Sequence, residues 1–440
     1  MSQDNPSLTV KNDKKIVNAW ALFDWANSAY ALVISTAVFP VYFIASTPDI
    51  IELFGVEFTN TSLYTASITI SYLIIAVLSP LLSGIADFGG RRMFFMKLFT
   101  IIGSLACMSM FFFKGAEQLW LGTGGFIIAT IGFAGSIVFY NAYLPEIVTE
   151  DRYDQVSAKG FAYGYVGSVI LLIFILAMIQ KPEWFGMAPG TTLPARLGFL
   201  LVGLWWFGFA QISFMRLPKD SKGKFDSGIL AKGFDEIMQV FEALKSKPNI
   251  KLFLLSFFFY FAGVQTVIYI ATIFAEKELS FGASEMIVIV LILQLLAIVG
   301  AYLFAYISKV KGNKFGLMSM LFIWISICVA AYFVQSKLTF YVIAGLVGLV
   351  MGGIQSLSRS TYSKMVDDNE SELTSWFSFY DVVYKASLVA GTFLFGLVDF
   401  ITHNLRYSVL VLIIFFLIGI VLLMKVDIKS AMDKTPSAAT

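Results

Sequence analysis

The chain has little charge, little cysteine and a single histidine. Of its 440 residues, 14% are charged, two are cysteines (Cys107 and Cys328) and one is a histidine, His403. Both cysteines lie in apolar runs, which excludes a disulfide framework, and without a Cys/His cluster we expect no metal site. There is no Walker motif, so we expect neither direct ATP coupling nor another cofactor. The net charge of +2 and the absence of a basic patch give no sign of nucleic-acid binding.

Apolar runs make up most of the chain. Hydrophobic residues account for 58% of it and the mean hydropathy is +0.80, as is typical of a polytopic membrane protein. A membrane span needs roughly 20 apolar residues, and twelve runs are long enough. They lie near 19–46, 61–86, 94–114, 120–145, 158–180, 196–216, 250–275, 284–307, 315–336, 338–358, 375–402 and 404–425. We therefore expect an all-α protein embedded in the lipid bilayer, with Pro40, Pro80 and Pro145 as candidate kinks.

The basic residues predict the orientation. Lys and Arg concentrate on the side that holds both termini, which we therefore expect in the cytoplasm. Only six lie on the other side: Lys114, Lys181, Arg196, Lys277, Lys337 and Arg406. One long connection divides the spans into six and six. We expect a cytoplasmic tail over 1–18, a six-helix bundle over 19–216, a cytoplasmic linker over 217–249, a second six-helix bundle over 250–425 and a cytoplasmic tail over 426–440.

The linker has the pattern of an amphipathic helix. Its apolar residues recur at helical spacing between charged ones. They are Phe234, Ile237, Val240, Phe241 and Leu244. This pattern predicts a helix on the cytoplasmic face that tethers two halves which move separately. A solvated linker helix is the alternative, and the function does not depend on the choice.

The first apolar run contains a polar stripe. Asp24, Asn27 and Ser28 fall at i, i+3 and i+4 and so share one face of a helix. A charged side chain in hydrocarbon costs roughly 2.5 to 3.5 kcal/mol on insertion scales, and such residues usually face a water-filled path or a partner helix. Two interpretations stay open. Asp24 is part of a substrate or proton pathway, or it lies about one turn inside Trp20 and its side chain reaches the cytoplasmic surface.

A second polar helix lies near the end of the chain. Asp381 and Lys385 are one turn apart in run eleven. A pair about 4 Å apart gains roughly 4 kcal/mol at an effective dielectric of 20, which offsets the cost of burying the ammonium. Asp381 is the local partner of Lys385, and Asp24 is a candidate second partner in another state of the protein. The alternative is an intrahelical pair with a structural role only. Asp399 and Glu146 are weaker candidates for a proton carrier.

Other polar residues within apolar runs could line a substrate path. They are Tyr140, Asn141, Tyr163, Gln265 and Tyr269, although each could instead be a contact between helices. Gln355 and Arg359, at i and i+4, could bind a carboxylate. The position of Arg359 favours the alternative, an anchor at the inner surface. Glu146, which follows Pro145, could titrate or could pair with Arg152 at a helix end.

The connection between runs two and three is the most specific motif. It reads Ser83-Gly84-Ile85-Ala86-Asp87-Phe88-Gly89-Gly90-Arg91-Arg92. Gly90 permits a tight turn, and Arg91 and Arg92 hold that turn in the cytoplasm. The loop resembles the signature of the major facilitator superfamily, Gly-x-x-x-Asp-x-x-Gly-Arg-Arg, with Ser83 in place of the first Gly. The resemblance implies that Asp87 acts in a gate near the start of span eleven. A basic loop that only sets topology is the alternative.

The two halves of the sequence are weakly similar. The segment Phe23–Asn27 resembles Phe259–Gly263, with Tyr260 where Asp24 stands. The second-half loop that corresponds to the signature, Ser308–Lys314, lacks the acid. Each half is therefore predicted to follow one plan, as in transporters with parallel six-helix repeats.

Four segments narrow the resemblance. They are Asp24-Trp25-Ala26-Asn27-Ser28-Ala29-Tyr30, Tyr140-Asn141-Ala142-Tyr143-Leu144-Pro145-Glu146, Gly160-Phe161-Ala162-Tyr163-Gly164-Tyr165 and Gly353-Ile354-Gln355-Ser356-Leu357-Ser358-Arg359. Together they resemble the vacuole-effluxer-like branch of the superfamily, named for an autophagy-related vacuolar amino-acid exporter of yeast. The resemblance implies the major facilitator fold of twelve transmembrane helices in two bundles. It speaks less to the substrate, because function depends on individual sites.

The resemblance implies secondary active transport. We expect a small polar or zwitterionic substrate, above all an amino acid, moved by alternating access and linked to protons. The alternative within transport is efflux of drug-like or lipophilic compounds. A lipid scramblase or a membrane-embedded enzyme would be a different class, but no catalytic cluster is visible, so we do not expect an enzyme. We expect a monomer in the inner membrane of a cell, or in a vacuolar-type membrane of a eukaryote.

Overall fold

The apolar runs fold into membrane-length helices. The computed structural model describes residues 11–53, 55–220, 229–366, 373–402 and 404–428, so His403 lies outside the described residues. Within those ranges twelve helical segments are long and apolar enough to cross a membrane, which confirms the predicted number. Helices satisfy their own backbone hydrogen bonds, the condition that hydrocarbon imposes on a spanning segment.

The twelve spans are numbered here in chain order. In the first half they cover Lys14–Ser46, Asn60–Phe88, Arg92–Phe112, Ala116–Ile147, Glu150–Gln180 and Leu193–Arg216. In the second half the helices are Pro248–Leu279, Ala283–Lys311, Asn313–Phe333, Lys337–Met365, Leu373–Thr402 and Leu405–Lys425. The linker contains the predicted helix, Ile229–Ser246.

A short β-hairpin joins spans one and two. Strand β1, Ile50–Leu53, pairs antiparallel with strand β2, Val56–Thr59, and Gly55 in the turn between them has a φ of +76°. The sequence predicts helices only. The hairpin is too short to alter the fold class, because four residues on each strand leave the helices dominant.

Span one changes helical geometry in its middle. An α-helix over Lys14–Ala29 continues as a π-helix over Tyr30–Val38 and returns to an α-helix over Phe39–Ser46. Pro40 is the second residue of that last segment and lacks the N–H that would bond one turn back. The hydroxyl of Tyr64 on span two donates to the carbonyl of Ser35 at 2.8 Å, so span two also supports the widened turn.

The other two predicted kink positions, Pro145 and Pro80, lie within α-helical segments and not next to a π-helix. Pro145 stands in the first turn of a short helix, Leu144–Ile147, which follows the main helix of span four. Pro80 lies inside the continuous helix Asn60–Phe88 of span two.

Glycines allow very close approach of helices in both halves. A Cβ added to Gly132 of span four would lie 2.4 Å from the Cα of Gly103 on span three. A Cβ added to Gly352 of span ten would lie 1.9 Å from the carbonyl oxygen of Ala297 on span eight. Neither position has room for a side chain, so glycine sets the helix spacing there.

By packing, the chain forms two compact units that do not follow chain order. The first, here called the N unit, comprises Lys14–Ala142 and Tyr163–Ile237. The second, the C unit, includes Tyr143–Ala162 and the chain from Met238 onward. The segment that joins spans four and five therefore packs with the second-half spans.

Candidate functional site

Asp24 is buried in the N unit and bonded to span four. Its carboxylate accepts a hydrogen bond from the hydroxyl of Tyr140 at 2.7 Å, and only 6% of the residue is exposed. The ring of Trp20 stacks on that of Tyr140 with centroids 4.5 Å apart, and its indole N–H donates to the Tyr140 carbonyl at 3.1 Å. Asp24 is thus held inside the N unit. This position does not fit the alternative in which its side chain extends to the cytoplasmic surface.

The rest of the polar stripe faces spans four and five. Asn27 is fully buried, and its Oδ1 accepts a hydrogen bond from Ser136 on span four at 3.4 Å. Within the described residues its Nδ2 has no hydrogen-bond partner. Ser28 lies against span five, where a Cβ added to Gly164 would be 2.6 Å from its Oγ. Asp24, Asn27 and Ser28 therefore lie where spans one, four and five meet.

The C unit buries the ion pair of span eleven. Lys385 Nζ contacts Asp381 Oδ2, and the two residues are only 4% and 7% exposed. Next to Lys385, the hydroxyl of Tyr384 accepts a hydrogen bond from the amide of Gln265 on span seven. Sequence reasoning proposed Gln265 but missed Tyr384, whose only sequence signal is its position beside the lysine. A cation, an anion and two neutral polar groups thus lie on spans seven and eleven of one unit.

The weak repeat between the halves corresponds to matching contacts. Tyr260, which stands where Asp24 does in the other half, shares a hydrogen bond of 2.9 Å with Ser358 on span ten. In each unit the first helix of the half is thus bonded to the fourth, Asp24 to Tyr140 in one and Tyr260 to Ser358 in the other. Only the N-unit version has a carboxylate.

The remaining predicted pathway residues are dispersed. Tyr269 on span seven is 45% exposed, and Gln355 on span ten is half-buried. Asn141 is buried at the end of the main helix of span four, and Glu146 is half-buried in the helix Leu144–Ile147.

The signature loop folds as its residues predict. Gly90 adopts a φ of +57°, in the left-handed region that favours glycine, and the N–H of Arg91 closes the turn on Ala86 at 2.8 Å. The guanidinium of Arg92 lies 3.6 Å from the carboxylate of Asp87, whose side chain is only 1% exposed. Asp87 is therefore a buried acid with a cation beside it.

Sequence reasoning missed Asp220 beside this loop. Its carboxylate accepts the N–H groups of Met93 and Phe94 at 2.6 and 2.9 Å, and so satisfies donors in the first turn of span three. No local sequence pattern connects Asp220 with Met93 and Phe94, which lie more than a hundred positions earlier.

Arg359 is a buried residue of the C unit. It is 3% exposed and donates to both the hydroxyl and the carbonyl of Ser157, at 3.0 and 2.9 Å. Its guanidinium lies 4.3 Å from the ring centroid of Phe161. These contacts do not fit the predicted anchor at the inner surface. They also do not fit an open site at which Arg359 would bind a substrate carboxylate.

No metal centre accompanies these clusters in the part of the chain that the structure describes. Within it, no group of three or more His, Cys, Asp or Glu side chains could hold a metal ion.

The twelve spans within the described residues, in two halves with matching contacts, have the fold of the major facilitator superfamily. The fold is similar to that of the proton:xylose symporter XylE, with a TM-score of 0.73 and 13% identity over 95% of this chain and 96% of that one. It is also similar to a bacterial homologue of the iron transporter ferroportin in its outward-facing state, with a TM-score of 0.66 and 14% identity over 93% and 98% of the chains.

The family follows from the sequence comparison. The family model described as "Vacuole effluxer Atg22 like" matches residues 12–435, and the chain belongs to this family. It is 32% identical to the uncharacterized MFS-type transporter YxiO of Bacillus subtilis (strain 168) over 96% of this chain and 97% of that protein. It is 24% identical to autophagy-related protein 22 of Yarrowia lipolytica, over 86% and 78%. The protein is a multi-pass membrane transporter and not an enzyme.

Proposed function

We propose that the protein is a secondary active transporter of a small zwitterionic metabolite, an amino acid above all, and that it is coupled to protons. The buried pair Asp381–Lys385 carries the proposal. An amino acid contains one carboxylate and one ammonium, so it is complementary to the pair and can exchange partners with it. Tyr384 and Gln265 supply neutral hydrogen-bonding groups beside it.

The electrostatics of the pair favour a zwitterion over a singly charged substrate. A unit charge 4 Å from its partner gains roughly 4 kcal/mol at an effective dielectric of 20. A zwitterion that separates Lys385 from Asp381 compensates both charges, whereas a singly charged substrate leaves one of them unpaired. An unpaired charge in hydrocarbon costs several kcal/mol, so a neutral or singly charged analogue is bound less well.

The proton is assigned to Asp24. Its carboxylate is buried and accepts a hydrogen bond from the hydroxyl of Tyr140 at 2.7 Å. Buried acids within membrane spans commonly serve as proton relays in pumps and transporters. The vacuolar effluxers of the family and a proton symporter among the solved folds support the general class, and they do not identify the substrate.

Transport by purified protein in liposomes tests the proposal. Labelled amino acids should exchange across the membrane, and an imposed proton gradient should drive their accumulation. Lys385→Gln should slow exchange severely. Asp24→Asn should abolish proton-driven accumulation and leave some exchange.

A matched control is available for the lysine. Lys337 also forms an ion pair, with Glu285 at 2.6 Å, but its side chain is 42% exposed. Lys337→Gln should therefore transport as the wild type does. Full gradient-driven accumulation by Asp24→Asn would refute the role of Asp24, and unimpaired exchange by Lys385→Gln would refute the substrate site.

An apolar cavity in the C unit favours a second candidate, efflux of lipophilic compounds. The cavity is partly open and is lined by apolar groups. Its lining includes Ile270, Phe274, Phe340, Val347, Phe395 and Leu412. Drug-like compounds that inhibit amino-acid exchange competitively, and are themselves transported, would favour this candidate over the first.

A further inference from the structure

The second-half loop Ser308–Lys314 lacks the acid that Asp87 supplies in the first half, but an acid from elsewhere lies against it. The carboxylate is that of Asp154, near the start of span five. Its Oδ2 accepts a hydrogen bond from Ser308 at 2.8 Å, and its Oδ1 accepts one from the amide of Asn313 at 2.9 Å. Both donors belong to the loop.

Span ten completes this polar cluster. Lys364 donates to Asp154 Oδ2 and to Asn313 Oδ1, each at 2.7 Å. The amide of Asn313 also donates to the hydroxyl of Thr361, at 2.9 Å. Asp154 and Asn313 are 7% and 6% exposed, so the cluster is nearly closed to solvent. One carboxylate thus joins the ends of spans eight, nine and ten.

One face of span five makes all of these contacts. Asp154, Ser157, Ala158 and Phe161 fall at i, i+3, i+4 and i+7, which is a single helical stripe. Ser157 donates to the carbonyl of Ser356 at 2.7 Å and accepts from Arg359, and Phe161 lies under the guanidinium of that arginine.

Small residues allow span five to approach at the centre of this stripe. Ala158 packs against Ala301 and Ala305 of span eight. None of the three side chains extends beyond Cβ, so the helices can meet closely enough for the flanking hydrogen bonds to form.

We propose that Asp154 supplies the acid of a second gate contact, equivalent to the one predicted for Asp87. This contact, here called the latch, also includes Ser308, Asn313 and Lys364. Span five belongs to the C unit up to Ala162 and to the N unit from Tyr163. A change in the relation between the units must therefore break the latch or bend the helix at that point. The latch is polar and can be re-formed, and it acts whatever the substrate is. Asp154 is a positioning residue and does not touch the substrate.

Cysteine accessibility tests the latch without a transport assay. The reporter is Ser360→Cys, at a fully buried position on span ten one turn from both Ser356 and Lys364, in a background with Cys107→Ala and Cys328→Ala. The protein is held in nanodiscs, where a polar maleimide reaches both membrane faces. Asp154→Asn and, separately, Lys364→Gln should each raise the labelling rate on the order of tenfold, within the range typical of coupling between states.

Two controls separate the latch from general loosening. Asp151, three residues earlier, is exposed, so Asp151→Asn should leave the labelling rate unchanged. The double variant Asp154→Asn with Lys364→Gln should label no faster than the faster single variant, because both changes break the same latch. Equal labelling rates in Asp154→Asn, Lys364→Gln and Asp151→Asn would overturn the proposal. So would a double variant whose increase in labelling is the product of the two single increases, because the two residues would then act independently.

Discussion

Breaking the buried pair Asp381–Lys385 should destabilise the protein more than removing it altogether. Lys385→Gln leaves the carboxylate of Asp381 buried without its cation, and an uncompensated charge of this kind costs about 3 to 5 kcal/mol. Asp381→Asn should have a similar cost because it strands the ammonium. The double variant Asp381→Asn with Lys385→Gln places two neutral amides of nearly the same shape one turn apart. We therefore expect it to recover most of the lost stability.

The two cysteines provide the assay. Cys107 and Cys328 are free and buried, so a thiol-reactive dye reports the midpoint of thermal unfolding. The half-exposed pair Lys337–Glu285 serves as the control, and Lys337→Gln should cost less than about 1 kcal/mol. A double variant that melts no higher than the two single variants would refute the reasoning. So would a Lys385→Gln variant that melts with the wild type.

Two further changes test the gate and the helix packing. Asp87→Asn should raise the labelling rate of a cysteine at Ser378, a fully buried position, and unchanged labelling would remove Asp87 from the gate. Gly352→Ala would place a Cβ 1.9 Å from the carbonyl oxygen of Ala297 and should lower stability by about 1 to 3 kcal/mol. Its control, Gly396→Ala, meets no atom within 4 Å and should melt within a degree or two of the wild type or above it.

The spans and the polar stripe could be predicted because they depend on local properties of the sequence. A run of apolar residues long enough to cross a bilayer has few alternatives to a helix. The helical repeat alone puts Asp24, Asn27 and Ser28 on one face. The similarity between Phe23–Asn27 and Phe259–Gly263 also corresponds to a shared contact in the structure. Each segment is hydrogen-bonded to the fourth helix of its half.

The partners of those residues could not be predicted in the same way. Which face of one helix meets which face of another depends on rotations and spacings set by the whole unit. Asp154 at the start of span five looks in the sequence like an ordinary acid in the first turn of a helix, where negative charge is common. Its donors Ser308 and Lys364 follow more than 150 residues later. The π-helix of span one needs support from Tyr64 as well as Pro40, and only the proline is conspicuous in the sequence.

A remaining question is whether proton binding at Asp24 and substrate binding at Lys385 form a single coupled step. Each charge has a partner in its own unit, Asp24 with Tyr140 and Lys385 with Asp381. In a coupled transporter, the state of Asp24 must change the affinity at Lys385, typically by 1 to 3 kcal/mol. Asp24→Asn, Lys385→Gln and the double variant form a cycle that measures this coupling in rates of amino-acid exchange. If the two residues act in one step, the double variant should be no slower than the slower single variant. Strictly additive losses would mean that the two charges act independently, and proton coupling through Asp24 would then be wrong.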